Sequence, residues 1–269
     1  MNEIFSDVSN IVDIDTISDY PDDYLAETLN ISSDLLTFYR NWTFHDSKWY
    51  YYKNIYNEKF LLNELLGVKL AEYFAIDSIS YLLGRDSEQK YILSENFRNK
   101  ETEYLYTDEL GIPNFSYGCE NIQNFVNLKY ICPSKEEYRK LLENLFKLCA
   151  LDFYSAQTDR HENNLLFTKN KNNELSICKL FDYEASFVYS ENNLIDNPFF
   201  TAEIFDKATS KLFKRFPEAY KIFLLILKIN LEQMLKSIIQ EYNLKFSKDL
   251  IDEYIEFDKM RKILINNIK

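Results

Sequence analysis

Glycine is scarce in this chain: 269 residues include only 4, together with 5 prolines. That leaves little material for a turn-dense β-sandwich, whose hairpins draw on both residues. Histidine occurs twice, and the four cysteines (Cys119, Cys132, Cys149 and Cys178) have no C-x-x-C spacing. A zinc site is therefore not expected, and reduced thiols in a cytoplasmic protein are the reading rather than disulfides. Basic residues are also in deficit, 31 Lys plus Arg against 43 Asp plus Glu, for a formal charge of −12. This argues against direct, sequence-independent nucleic-acid binding, which needs a basic face to neutralise phosphates. A small basic groove for a nucleotide stays compatible with it. The longest apolar run, Ile222–Leu227, is far too short for a membrane span. The start, "MNEIFSDVSNIVDID", is acidic and lacks the basic and apolar regions of a signal peptide. The expectation is a soluble, cytoplasmic protein; a secreted effector also fits.

Apolar and aromatic side chains are plentiful instead. The hydrophobic fraction is 46%, with 21 Tyr and 21 Phe, enough for one large domain or two closely packed lobes. "WYYYKNI" (Trp49–Ile55) is short and aromatic, which favours a strand. From Glu58 to Phe74, Leu61, Leu65, Val68 and Ala71 form a helical stripe. "SISYLLG" and "QKYILSENF" read as two strands joined by the polar turn "RDSE", whereas 99–130 shows no assignable pattern. Ser134 and Glu137 form a capping box that starts a helix running out near Gln157. "NLLFT" and "SICKLFD" then make a hairpin across "KNKNNE", and helices are expected at about 203–215, 217–242 and 247–267. The order is a strand-rich first third, a helix, a polar loop, a hairpin and a helical last third. That is an α+β, two-lobed arrangement.

The polar loop "TDRHENNLLF" (Thr158–Phe167) and the later "LFDYEAS" carry the chemistry. Phosphoryl transfer asks for a carboxylate to orient the accepting hydroxyl, oxygen ligands for Mg²⁺ and a cation on the phosphates. Asp159 and Asn164 lie five apart in one loop, and the hairpin returns Asp182 to the same mouth. His161 is read as a brace for the loop, since His45 is its only possible histidine partner for a metal.

"D-R-H-x-x-N" followed by an apolar "F-D" resembles the catalytic loop and metal-binding aspartate of the HipA-like kinases; phosphatidylinositol kinases carry a similar loop. Upstream, "YYYKN", "NELLGVKLAEYFAI" and "YILSENF" resemble that family's lysine strand, glutamate helix and interlobe hinge, so the resemblance covers about 49–190. It implies a two-lobed, protein-kinase-like fold with a small β-rich N-lobe and a larger, mostly helical C-lobe. The implied division is one domain over 1–269, with an N-lobe at 1–97, a hinge near 94–97 and a C-lobe at 98–269. The catalytic loop would be 158–165. The implied cofactors are ATP and Mg²⁺. Asp159 would be the catalytic carboxylate, and Asn164 and Asp182 the metal ligands. Lys53 would contact the phosphates, with Lys48 and Lys59 as competitors for that role. Glu64 would hold Lys53, and Glu95, Asn96 and Phe97 would meet the adenine through backbone groups.

Family members place a glycine-containing phosphate loop ahead of the lysine, yet all four glycines here (Gly67, Gly84, Gly111 and Gly118) follow Lys53. Any such loop is expected within Arg40–Lys48. The family's longer members carry a further N-terminal domain, which is expected to be missing. The implied activity is a protein serine/threonine kinase of toxin or effector type, with an antitoxin or regulatory protein as a possible partner. Three alternatives stay open: a non-catalytic, kinase-like binding protein, a nucleotidyl-transferring pseudokinase and a phosphatidylinositol-kinase-like lipid kinase. The acidic charge disfavours the lipid reading, since anionic membrane surfaces attract basic segments.

Overall fold

The computed structural model describes residues 11–14, 41–110, 122–157, 160, 164–187 and 211–267. Five strands form the first sheet: β1 (Val12–Asp13), β2 (Trp42–His45), β3 (Lys48–Asn54), β4 (Tyr81–Arg85) and β5 (Lys90–Glu95). Their order is β1-β4-β5-β3-β2, antiparallel except where β1 runs parallel to β4. Along β3 the two faces separate as the pleat requires. Tyr50 and Tyr52 join Ile14, Tyr91 and Leu93 in a small outer cluster. Trp49, Tyr51 and Lys53 therefore point to the opposite face, where helix α1 (Glu58–Tyr73) packs. The side chain of Asn57 caps α1 by accepting from the Phe60 N–H at 2.7 Å.

The segment 99–130, unassigned from sequence, contains β6 (Glu103–Leu105) and the short helix α2 (Ile122–Asn127). Strand β6 joins β7 (Phe167–Lys169) and β8 (Leu175–Ile177) in a second antiparallel sheet. Before them runs α3 (Lys135–Ser155), and the Ser134 hydroxyl there works twice. It accepts from the Glu137 N–H at 3.2 Å and donates to the Glu137 carboxylate at 2.9 Å. The helix ends on Ala156, left-handed at φ 52°. In this glycine-poor chain other residues take that conformation, among them Asp46, Ser47, Asn173 and Asp182.

The expected helix over 217–242 is broken. It comprises α4 (Pro217–Phe223), a 3₁₀ turn (Leu224–Lys228) and α5 (Leu231–Tyr242). Ile229 is extended, and Asn230 starts a new helix by accepting from the Gln233 N–H at 3.1 Å. Of the expected 203–215 helix only 211–215 is described, and it is helical. The chain closes with α6 (Lys248–Asn266). No helix among the described residues is long and apolar enough to cross a membrane. Cys132, Cys149 and Cys178 are free thiols, and burial pushes Cys132 and Cys178 up to about 11.

The carboxyl-terminal helices embrace α1. Lys59 pairs with Glu253 at 2.6 Å, Lys69 with Glu241 at 2.8 Å, and the Tyr73 hydroxyl donates to the Leu225 carbonyl at 2.8 Å. One apolar core runs continuously from β4 and β5 through α1 to α3 and the last helices. Helix α1 is thus buried on nearly all sides.

Candidate functional site

Burying α1 in this way forces a decision on its polar residues. Glu64 is 0% exposed, and an isolated carboxylate there would be strongly disfavoured. It is instead satisfied from three directions. The Tyr81 hydroxyl donates at 2.5 Å, the Tyr183 backbone N–H at 3.0 Å, and the Lys53 ammonium lies 3.2 Å away. Complete burial still pushes the Glu64 carboxyl up, against the pull of Lys53. Burial and Glu64 together raise the Tyr81 phenol, which keeps it a donor.

Lys53 reaches two more carboxylates, Asp182 at 2.7 Å and Glu184 at 3.4 Å. Burial opposes its charge, but Glu64, Asp182 and Glu184 outweigh that and hold the ammonium above the ordinary lysine range. One carboxylate oxygen from each of these three acids lies within 4.8 Å of the others. Lys48 and Lys59, the competing lysines, are engaged elsewhere, with Glu95 at 2.8 Å and Glu253 at 2.6 Å.

The segment from Phe181 to Phe187 is tied down backbone group by backbone group. Arg160 Nη1 donates to the Phe181 carbonyl at 3.1 Å, and Gln157 Nε2 to the Asp182 carbonyl at 3.0 Å. Glu64 takes the Tyr183 N–H, and Asn63 Nδ2 donates to the carbonyls of Glu184 (2.8 Å) and Ser186 (2.6 Å). The Phe187 N–H donates to the Ser155 carbonyl at 2.5 Å. Asp182 itself is left-handed, φ 63°, a conformation aspartate tolerates better than most side chains.

Asn164 is buried, and its carbonyl accepts from Arg160 Nη1 at 3.1 Å, the same nitrogen that holds Phe181. One guanidinium thus links Asn164 to the residue before Asp182. Asp159 and His161 lie outside the described residues. At the end of β5, the Asn96 N–H donates to the Trp49 carbonyl at 2.8 Å, and the Phe97 carbonyl accepts from the Tyr104 hydroxyl at 3.2 Å. Glu95 is held by Lys48. The Phe97 ring stacks on Phe181, centroids 6.0 Å apart, so an apolar wall joins the 95–97 segment to the Asp182 segment.

The expectation of a phosphate loop within Arg40–Lys48 needs correction. Residues 42–54 form a tight hairpin whose two-residue turn, Asp46–Ser47, has φ of 46° and 64°. That turn sits at the Glu95 end of the sheet, since Tyr50 pairs with Glu95. Lys53 is about 20 Å further along the strand at 3.4 Å per residue. The turn therefore lies too far from Lys53 to cover it.

The sequence matches no family model and no curated protein at a significant level. Comparison of the fold with solved structures finds the Helicobacter pylori proinflammatory kinase CtkA, at 14% identity and TM-score 0.50, covering 85% of this chain and 89% of that one. It also finds HipA in the Shewanella oneidensis MR-1 HipA–HipB–operator DNA complex, at 11% identity and TM-score 0.57. That match covers 84% of this chain but 62% of the other. The fold is kinase-like, of the HipA type.

Several residues that build this site escape a reading of the sequence. Glu184, two positions past Asp182, adds a third carboxylate to Lys53. Gly67 sits where a β-carbon would meet the Tyr183 ring at 2.1 Å, so its role is to admit that ring. Arg160 pairs with Asp152 through Nε and Nη2, each at 3.2 Å, with its side chain 3% exposed. Lysine cannot reproduce such a fork. Arg160→Lys is expected to lower stability by roughly 2–3 kcal/mol. Chemical denaturation checks this; an unchanged midpoint would show that the fork is dispensable.

Proposed function

We propose that this chain is an ATP- and Mg²⁺-dependent phosphotransferase that modifies serine or threonine of a protein substrate. The observation that supports it best is the buried Lys53–Glu64 pair in contact with Asp182. Glu64 is locked by Tyr81 and by the Tyr183 N–H, so it aims the ammonium at one place without following it. An ammonium so placed is suited to the phosphates of a nucleotide.

The donor chemistry fits Mg²⁺, which selects oxygen ligands and retains substrate phosphates in its shell. Asn164 and Asp182 would hold it, with Glu184 close by. When bound, the ion neutralises phosphate charge during transfer. Lys53 would contact the nucleotide phosphates, and the Phe97–Phe181 wall would face the adenine beside the backbone of Glu95–Phe97. Asp159 would orient the accepting hydroxyl. In this reading 1–97 is the small lobe and 98–269 the large one, within a single domain. The HipA structure contains HipB and operator DNA; a regulatory protein partner for this chain is part of the proposal, and direct DNA contact is not, given the net charge of −12.

The test is incubation with Mg²⁺ and ATP labelled separately at the γ and α positions, with protein substrates and phosphatidylinositol vesicles. A nucleotide at 100 times its dissociation constant stabilises by about 2.7 kcal/mol. That corresponds to roughly 5–10 °C in melting temperature. A shift of this size with γ-label on protein is the expected result. Label on lipid would make this a lipid kinase, and α-label on protein a nucleotidyl transferase. A shift without transfer would leave a nucleotide-binding scaffold, and no shift at all would overturn the reading.

A further inference from the structure

Asn63, next to Glu64 on α1, is 2% exposed, and both its amide protons and its oxygen are bonded. Its Nδ2 donates to the carbonyls of Glu184 and Ser186, and its Oδ1 accepts from the hydroxyl of Tyr254 on α6. Two carbonyl acceptors on one side require a donor there, which fixes the orientation of the amide. Tyr254 is also buried, and its ring lies against Phe187 at 5.1 Å between centroids, while Phe257 meets the same phenylalanine at 5.3 Å. Helix α6 thus touches the Asp182 segment twice, through rings at its end and through Asn63 near its middle. Burial raises the Tyr254 phenol well above its ordinary range, so it remains a donor at every working pH.

We infer that Tyr254, acting through Asn63, is a positioning residue that sets where the segment carrying Asp182 and Glu184 lies against Lys53. The backbone bonds made by Asn63 begin two residues after Asp182, too close for the carboxylate to be indifferent to them. On the proposed function, which this part of the inference rests on, the carboxyl-terminal helix thereby tunes the affinity of the site for Mg²⁺ with nucleotide. Neither residue touches the reacting groups.

Tyr254→Phe keeps the ring and removes the hydroxyl. The control is Tyr73→Phe, which removes a comparable hydroxyl bond, to the Leu225 carbonyl, made by helix α1 at its far end from Asn63. Amide hydrogen exchange reads position without requiring activity. In Tyr254→Phe the Tyr183 and Phe187 amides are expected to exchange about tenfold faster, with β4 unchanged; in Tyr73→Phe they should not change. In full-length protein the Mg²⁺ concentration for half-maximal nucleotide stabilisation is expected to rise severalfold in Tyr254→Phe and to stay constant in the control. Exchange that rises uniformly, or not at all, overturns the positioning role. Selective exchange with an unaltered Mg²⁺ response in a nucleotide-binding protein overturns the tuning. If the parent chain binds no nucleotide, the proposed function fails, while exchange still decides the positioning.

Discussion

Gly67→Ala is expected to lower the stability of the protein by about 3 kcal/mol, against the trend for helix interiors. Alanine in place of glycine inside a helix ordinarily stabilises by roughly 0.5–1 kcal/mol. Here the new methyl would meet Tyr183 Cγ at 2.1 Å, Cδ1 at 2.4 Å and Cβ at 2.6 Å. The ring cannot step aside. It is 0% exposed, its hydroxyl lies 3.0 Å from the Ser78 hydroxyl, its N–H is held by Glu64, and the Arg160 guanidinium lies 5.5 Å from its centroid. Overpacking of a well-filled core typically costs about 1–3 kcal/mol, and a contact this short belongs at the upper end. The melting temperature should fall by roughly 5–10 °C. Because Tyr183 follows Asp182 directly, nucleotide stabilisation should weaken as well. A melting temperature equal to or above that of the parent would show that the helix and Tyr183 are not in contact in solution.

Asp182→Asn and Asp159→Asn are expected to separate binding from transfer. Asparagine adopts the left-handed backbone at least as readily as aspartate, so at φ 63° the first substitution changes charge without adding strain. It removes the carboxylate 2.7 Å from Lys53, which is also the only charged member of the proposed Asn164–Asp182 ligand pair. Nucleotide stabilisation that depends on Mg²⁺ should disappear. Asp159→Asn should leave that stabilisation intact and slow transfer by about two to four orders of magnitude, the usual worth of a positioned proton acceptor. Thermal shifts with and without Mg²⁺, paired with γ-label incorporation, measure both. Turnover intact in both variants would remove these aspartates from the mechanism.

Much of the local architecture was legible because it depends on neighbours along the chain. The Ser134–Glu137 box starts α3, the short aromatic run "WYYYKN" makes the strand of Lys53, and the apolar stripe of α1 carries Glu64 inward. Each is a matter of period or capping, written within a few residues. The break at Ile229 was less visible, since an apolar run suits a helix or a 3₁₀ turn equally. The phosphate-loop expectation failed because the absence of glycine says nothing about which end of a hairpin faces Lys53. That follows from the pairing of Tyr50 with Glu95, 45 residues away.

The sequence by itself thus determined an acidic, glycine-poor α+β chain, the strand of Lys53, the helix of Glu64, and the hairpin that follows Asn164, although its second strand stops at Ile177, short of Asp182. Only the tertiary structure decided that Glu184 joins Lys53, that Arg160 links Asn164 to Phe181, that Gly67 is empty space for Tyr183, and that Tyr254 reaches Asn63. The reason is the same in each case. A buried donor, carboxylate or missing side chain is explained by the group that fills the space opposite, and apart from the four-residue step from Arg160 to Asn164 that group arrives from 21 to 191 residues away, where no local pattern can announce it.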